Sequence, residues 1–264
     1  MAEKTSAAGT GRLSVPAFAG LVVGYLVIVQ GLGALLTRDI DVDYAAPTTT
    51  DALWRSITLP VGAGLVLVVV VVTALRWWRP VLVDDRPVRS WVAVVPVVML
   101  VATVLATDYA GLADRGLGFT LLLLVSALAV GCAEEGLFRG VGLVAFRAGG
   151  FGEARVALWT SVIFALAHAS NLITAGPKAF LQVLVTAVAG YFLYLVRRRT
   201  GNLVATAVVH GLWDFSLISS AVVPDRTYIG PDFCVLALVV LAIVVFVRRH
   251  DIEPATETTE KETV

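Results

Sequence analysis

The sequence predicts an all-α fold, a polytopic helical bundle inside a membrane, and three observations carry that expectation. The chain of 264 residues is 58% hydrophobic and 15% charged, with a mean hydropathy of +0.86, far more apolar than a water-exposed domain of this size. Apolar stretches long enough to cross a hydrocarbon core of about 30 Å recur along the chain, each bounded by charged residues, Pro or Gly. Basic residues crowd into alternate connections between those stretches.

About eight such stretches occur, at 16–36, 57–75, 91–107, 117–145, 156–171, 179–196, 203–223 and 233–247. The Val-rich second and last stretches would suit strands in water. In lipid an open sheet edge leaves backbone N–H and C=O groups unpaired, and a closed barrel needs an alternation of polar and apolar residues that is missing here. Helices are what remains.

Orientation follows from the connections. One set holds Lys4 and Arg12, then Arg76, Arg79, Arg86 and Arg89, then Arg147 and Arg155, then Arg197, Arg198 and Arg199, then Arg248, Arg249 and Lys261. The opposite set holds Arg38, Arg55, Arg115, Lys178 and Arg226 beside a larger number of aspartates. Basic residues are retained on the cytoplasmic side, so both termini are expected in the cytoplasm of a multi-pass cell-membrane protein. The first stretch is about 20 residues long and no A-x-A site follows it, which marks a retained helix instead of a cleaved signal peptide.

Four regions result: 1–116 with the first three helices, 117–223 with helices four to seven, 224–250 with the last helix, and a polar tail at 251–264. The tail is rich in Thr and Glu without apolar period, so disorder is expected there. Formal charge is balanced, 20 Lys and Arg against 20 Asp and Glu, which gives no sign of a nucleic-acid partner; the lipid bilayer is the partner that composition demands. Cys132 and Cys234 have no CxxC or CxxH spacing and read as apolar filler.

Few ionisable residues lie inside the stretches: Glu134, Glu135, Arg139, His168, His210 and Asp214, confined to the fourth, fifth and seventh. A charge at a helix centre costs about 2.5 to 3.5 kcal/mol, so such a concentration calls for mutual compensation or a function. Counted from Arg147 and Arg155, Glu134 and His168 each lie about 20 Å into the membrane; counted from Arg199, His210 lies about 16 Å in. Three helices thus bring a carboxylate and two imidazoles to a common layer.

Helical phase sorts these residues. Glu135 and Arg139 form an i,i+4 pair with the acid first, the favourable order for an intrahelical ion pair, while Glu134 points elsewhere and has no partner on its own helix. His210 and Asp214 share a face, as do Phe164 and His168. A free carboxylate opposite two histidines and an aspartate is a group able to hold and deprotonate water, with or without a metal. The bland readings are a structural Glu135–Arg139 pair, a core histidine at 168 bonded to a carbonyl, and an Asp214 that orients His210.

The spacing Glu134-Glu135-x-x-x-Arg139, Phe164-x-x-x-His168 and His210-x-x-x-Asp214 resembles the CPBP family of intramembrane proteases, which includes CAAX prenyl endopeptidases and bacterial bacteriocin-processing or abortive-infection proteins. The resemblance covers 121–217 and leaves the first three helices unaddressed. It implies an endopeptidase in which Glu134 is the general base, Glu135 and Arg139 support it, and His168 and His210 stabilise an oxyanion or hold a metal. The prenyl endopeptidases usually carry Asn at the last motif position. Asp214 departs from that pattern, which favours orientation of His210 or metal binding over an amide donor.

A divalent metal such as zinc, held by Glu134, His168, His210 and Asp214, therefore stays open beside a metal-free glutamate mechanism. The expected partner is a peptide or membrane-protein substrate, with no ground for requiring a prenyl group. Two alternatives stand beside the protease: a catalytically silent scaffold or bacteriocin-immunity-type protein, and a proton or metal transporter. No H-E-x-x-H, G-x-S-G or Y-D with G-x-G-D is present to support another intramembrane protease class.

Overall fold

A computed structural model describes residues 11–42, 45–172, 176, 178–224 and 226–254. Most of the tail expected at 251–264 lies outside them. Among the described residues all regular structure is helical, apart from one isolated bridge between Val83 and Asn202.

Each of the eight apolar stretches forms a helix. The longer elements are α1 (Val15–Leu36), α2 (Thr50–Leu75), the short α3 (Trp78–Leu82), α4 (Ser90–Ala106), α5 (Tyr109–Arg115), α6 (Leu117–Ala148), α7 (Glu153–His168), α8 (Lys178–Thr200), α9 (Leu203–Ser219) and α10 (Gly230–Val247). Ser14 caps α1 by accepting from Ala17 N at 3.3 Å, Thr49 caps α2 through Ala52 N at 3.1 Å, and Asn202 caps α9 through Val204 N at 2.8 Å. A widened π turn at Trp54–Thr58 comes just before Pro60, whose ring would clash with the carbonyl of a tight turn.

Among the described residues, 5 helices are long and apolar enough to cross a membrane, namely α1, α2, α6, the 180–200 part of α8, and α10. The pair α4 and α5, bent by 55°, makes a sixth if it counts as one span. The two helices that carry His168 and His210 are the short ones, at 16 and 17 residues. The outside of the bundle is apolar: Val27, Val66, Val104, Leu166, Phe180 and Val247 are all exposed, as a surface solvated by acyl chains requires. The protein is a multi-pass membrane protein.

The interior holds what the exterior lacks. Arg139 and Arg197 are among the largest fully buried side chains, alongside Phe18, Phe138, Phe146 and Phe164. α6 and α9 make the most extensive helix contact, α7 packs on α8, α2 lies on both α1 and α6, and α10 closes on α4. Both described ends of the chain sit at the arginine-rich end of the bundle: Gly11 N donates to Leu75 O at 3.2 Å, and Arg89 N donates to Ile252 O at 2.9 Å. Cys132 and Cys234 are free thiols, one exposed and one buried.

Candidate functional site

The contact between α6 and α9 depends on two glycines. A Cβ on Gly131 would strike Ala207 O, and one on Gly211 would lie 2.8 Å from both Ala127 O and Leu128 Cα. Without side chains at these positions the two backbones touch, as small residues allow at membrane helix crossings. One turn beyond Gly131, Glu135 thereby reaches His210. Immediately after Glu135, α6 loosens into a π turn at Gly136–Gly142, which carries Arg139.

Glu135 Oε1 accepts from Arg139 Nη1 at 2.8 Å and from His210 Nδ1 at 2.8 Å. A carboxylate only accepts, so Nδ1 of His210 carries the proton. Arg139, wholly buried, also donates through Nη2 to Gly190 O on α8 at 2.8 Å, and its guanidinium lies 4.2 Å from the centre of the Phe164 ring. That ring meets His168 edge-on at 4.7 Å and His210 at 5.7 Å between centroids. Phe164 thus separates the two imidazoles while supporting the cation beneath them.

Glu134 has a different environment. Its Oε2 makes no hydrogen bond and lies 3.8 Å from His210 Nε2; Asp214 Oδ2 lies 3.5 Å from the same nitrogen. Glu134, His168 and Asp214 line one cavity of about 390 Å³. His168 Nδ1 is 2.9 Å from Phe164 O; since a carbonyl only accepts, that nitrogen donates and Nε2 of the neutral ring offers a lone pair. His168 is therefore bonded to a carbonyl, as a core histidine would be, and still lines the cavity.

All six ionisable residues singled out from the sequence fall in this region. The expected Glu135–Arg139 and His210–Asp214 pairs are both present, with Glu134 free of an intrahelical partner. The Glu135–His210 hydrogen bond is not foreseen by helical phase. As for a metal, among the described residues no three His, Cys, Asp or Glu side chains are grouped so as to hold an ion. The arrangement of Glu134, His168, His210 and Asp214 does not fit a resident metal, and the chemistry below uses side chains alone.

Residues 116–216 match the family model described as type II CAAX prenyl endopeptidase Rce1-like. The match supports assignment of this segment to the CPBP/CAAX protease family. No curated protein and no solved structure matches the chain. The CPBP segment runs from the start of α6 into α9 and contains every one of the six ionisable residues, with Phe164.

Residues outside the CPBP motifs also build the cavity. Tyr25 and Gln30 of α1 line it, with Asn171 just after α7 and Gln182 of α8. Gln30 Nε2 donates to Asn171 Oδ1 at 2.9 Å and to Ser170 Oγ at 3.1 Å, and Asn171 Nδ2 donates to Gln182 Oε1 at 3.1 Å. A search confined to ionisable residues passes over them. The signal available in the sequence is an amide at position 30 inside an otherwise apolar stretch.

At the arginine-rich end, Glu153 at the start of α7 joins several elements. It accepts from Arg147 and Arg198 at 2.8 Å and from Tyr194 at 2.7 Å, and it pairs with Arg86. Burial pushes its carboxyl upward, but hydrogen bonds from Arg147 and Tyr194 and the charges of Arg147 and Arg198 outweigh it and hold the group at about 2. Arg147 also bridges to Asp84 Oδ2 at 3.1 Å.

Proposed function

We propose that the chain is an intramembrane endopeptidase in which Glu134 activates water against a peptide carbonyl. The observation that carries this reading is Glu134, a residue that lines the cavity and whose Oε2 makes no hydrogen bond and stands 3.8 Å from Nε2 of a histidine held by Glu135. Glu134 takes a proton from water, and the oxygen attacks the carbonyl carbon to form a tetrahedral oxyanion. The same carboxyl then returns the proton to the departing nitrogen as the C–N bond breaks, leaving a carboxylic acid and an amine; transfer of the acid's proton to the amine gives the product carboxylate and ammonium.

His210 supplies the counter-charge. Three carboxyls, Glu134, Glu135 and Asp214, surround its ring, and a buried imidazolium persists beside carboxylates that offset its charge. With Nδ1 donating to Glu135, a proton on Nε2 points toward Glu134 and Asp214, at the place where an oxyanion forms. Asp214 orients and balances this ring. Neutral His168 presents a lone pair at Nε2 and serves as acceptor for the water or the new amine; it becomes an oxyanion donor only when doubly protonated. The peptide requires no prenyl group in this reading.

We further read the topology as about eight crossings with both termini in the cytoplasm. The shared position of the two described chain ends at the arginine-rich end supports an even number. In this scheme 117–223 is the catalytic core, with 1–116 covering one side of the cavity and 224–250 as a closing helix. The test compares membrane-derived peptides from cells making the wild-type chain with those from cells making Glu134→Gln. A set of fragments that depends on Glu134 is expected; identical peptide sets reject the endopeptidase.

A further inference from the structure

The cavity that holds Glu134 has a direction. Its floor is Phe138, 1% exposed, one turn beyond Glu134 toward the arginine-rich end. Past that floor residues 139–143 are all buried. The same end is closed further by ion pairs of Arg147 with Asp84 and Glu153, and by wholly buried Arg197, which donates to the carbonyls of Val81 and Leu82 at 2.9 and 2.7 Å.

In the other direction the lining climbs α1 from Tyr25 through Gln30 to Thr37 at its C-terminal end, and takes in Ser56 near the start of α2 and Asn171 just past the end of α7. These positions lie at the end of the bundle remote from Arg76, Arg147 and Arg199. α7 provides a scale: from Glu153 to His168 the rise is about 22 Å, in a hydrocarbon core about 30 Å thick. The site therefore lies nearer the face opposite the arginines. The amides of Gln30, Asn171 and Gln182 stand along that upper part, hydrogen-bonded to one another, and an extended peptide backbone carries the same donors and acceptors with which to exchange for those bonds.

We propose that this cleft admits an extended polypeptide from the face opposite the arginine-rich loops, with the amides of Gln30, Asn171 and Gln182 along its backbone and Glu134 at the inner end. In the orientation given above that face is extracytoplasmic, so the substrates are secreted chains or outward-facing segments of membrane proteins. The direction rests on geometry; the cleavage rests on the endopeptidase reading.

The test separates the two. In the full chain carrying Cys132→Ser and Cys234→Ala, a single cysteine is placed at Ile218, which lines the cavity, at Thr37 near its mouth, or at Asp85 on the arginine-rich face. Each is treated with a charged, membrane-impermeant methanethiosulfonate in intact cells and in inverted vesicles. Ile218→Cys and Thr37→Cys are expected to react in intact cells alone, and Asp85→Cys in inverted vesicles alone. Reaction of the cavity positions from the same side as Asp85→Cys overturns the proposal. So does reaction from neither side, which means entry through lipid.

Labelling needs no turnover, so its outcome stands apart from whether the enzyme reading holds. With a mixed-sequence fluorogenic peptide as probe, Gln30→Leu is expected to raise KM about twofold to tenfold with kcat little changed. An unchanged KM removes the amide row from the substrate path.

Discussion

His210 Nδ1 lies 2.8 Å from Glu135 Oε1, and this hydrogen bond ties together α6 and α9, the two helices in most extensive contact, just behind the cavity lining. It also decides what the ring can do. With one nitrogen committed to Glu135, the other must face Glu134 and Asp214, so a structural bond sets the direction of the ring's second nitrogen. Arg139 completes the arrangement by donating to the same oxygen of Glu135.

Arg139→Ala leaves the Glu135 carboxylate buried without its cation, a change that costs about 3 to 5 kcal/mol. Unfolding in detergent should show a destabilisation of that size, with cleavage lost as well. Arg139→Lys should restore neither, because an ammonium cannot bond Glu135 and Gly190 O together while lying flat on Phe164. A melting temperature unchanged in Arg139→Ala contradicts the structural part of this account.

The glycine crossing gives a second prediction. In Gly211→Ala the new methyl meets backbone of α6 at Ala127 and Leu128, which has no room to give. Overpacking of this kind costs about 1 to 3 kcal/mol, and here it pushes His210 away from Glu135. Stability and cleavage should both fall, whereas Ala on the open surface at Gly24, where nothing lies within 4 Å, should leave both intact. Equal behaviour of the two variants would show that close approach of α6 and α9 is unimportant.

Much of the site is legible in the sequence because lipid makes charge conspicuous. Glu134, Glu135, Arg139, His168, His210 and Asp214 stand out against apolar stretches, and counting residues from the basic loops is enough to place the acid and both imidazoles in one layer. Helical phase treats each helix alone, so it assigns Glu135 to Arg139 and misses His210, whose approach depends on Gly131 and Gly211 on facing helices. Gln30 escapes because an uncharged amide is cheap enough in a bundle to carry no alarm. Hydropathy finds the eight helical stretches, but α7 and α9 are short and α4 is bent by 55° from α5, which is why length and composition alone recover 5 spans.

Glu153 gives a prediction about pH. Its carboxyl is held at about 2 in the folded chain, below the ordinary value of 4.5, so it stabilises the fold wherever it is ionised in both states. That contribution is fully present above about pH 4.5 and is lost as pH falls from there toward about 2. Thermal unfolding across this window should show a steeper loss for wild type than for Glu153→Gln. Parallel curves would mean that the Arg86, Arg147 and Arg198 contacts do not act on stability through this group.

The most direct measurement is cleavage of a mixed-sequence peptide by the purified full chain in nanodiscs, with wild type and Glu134→Gln compared at equal folded concentration. Loss of the general base should lower the rate by about 10² to 10⁴-fold, with melting almost unchanged because Glu134 Oε2 has no hydrogen bond to lose. Cleavage by Glu134→Gln at the wild-type rate would contradict the account at its centre.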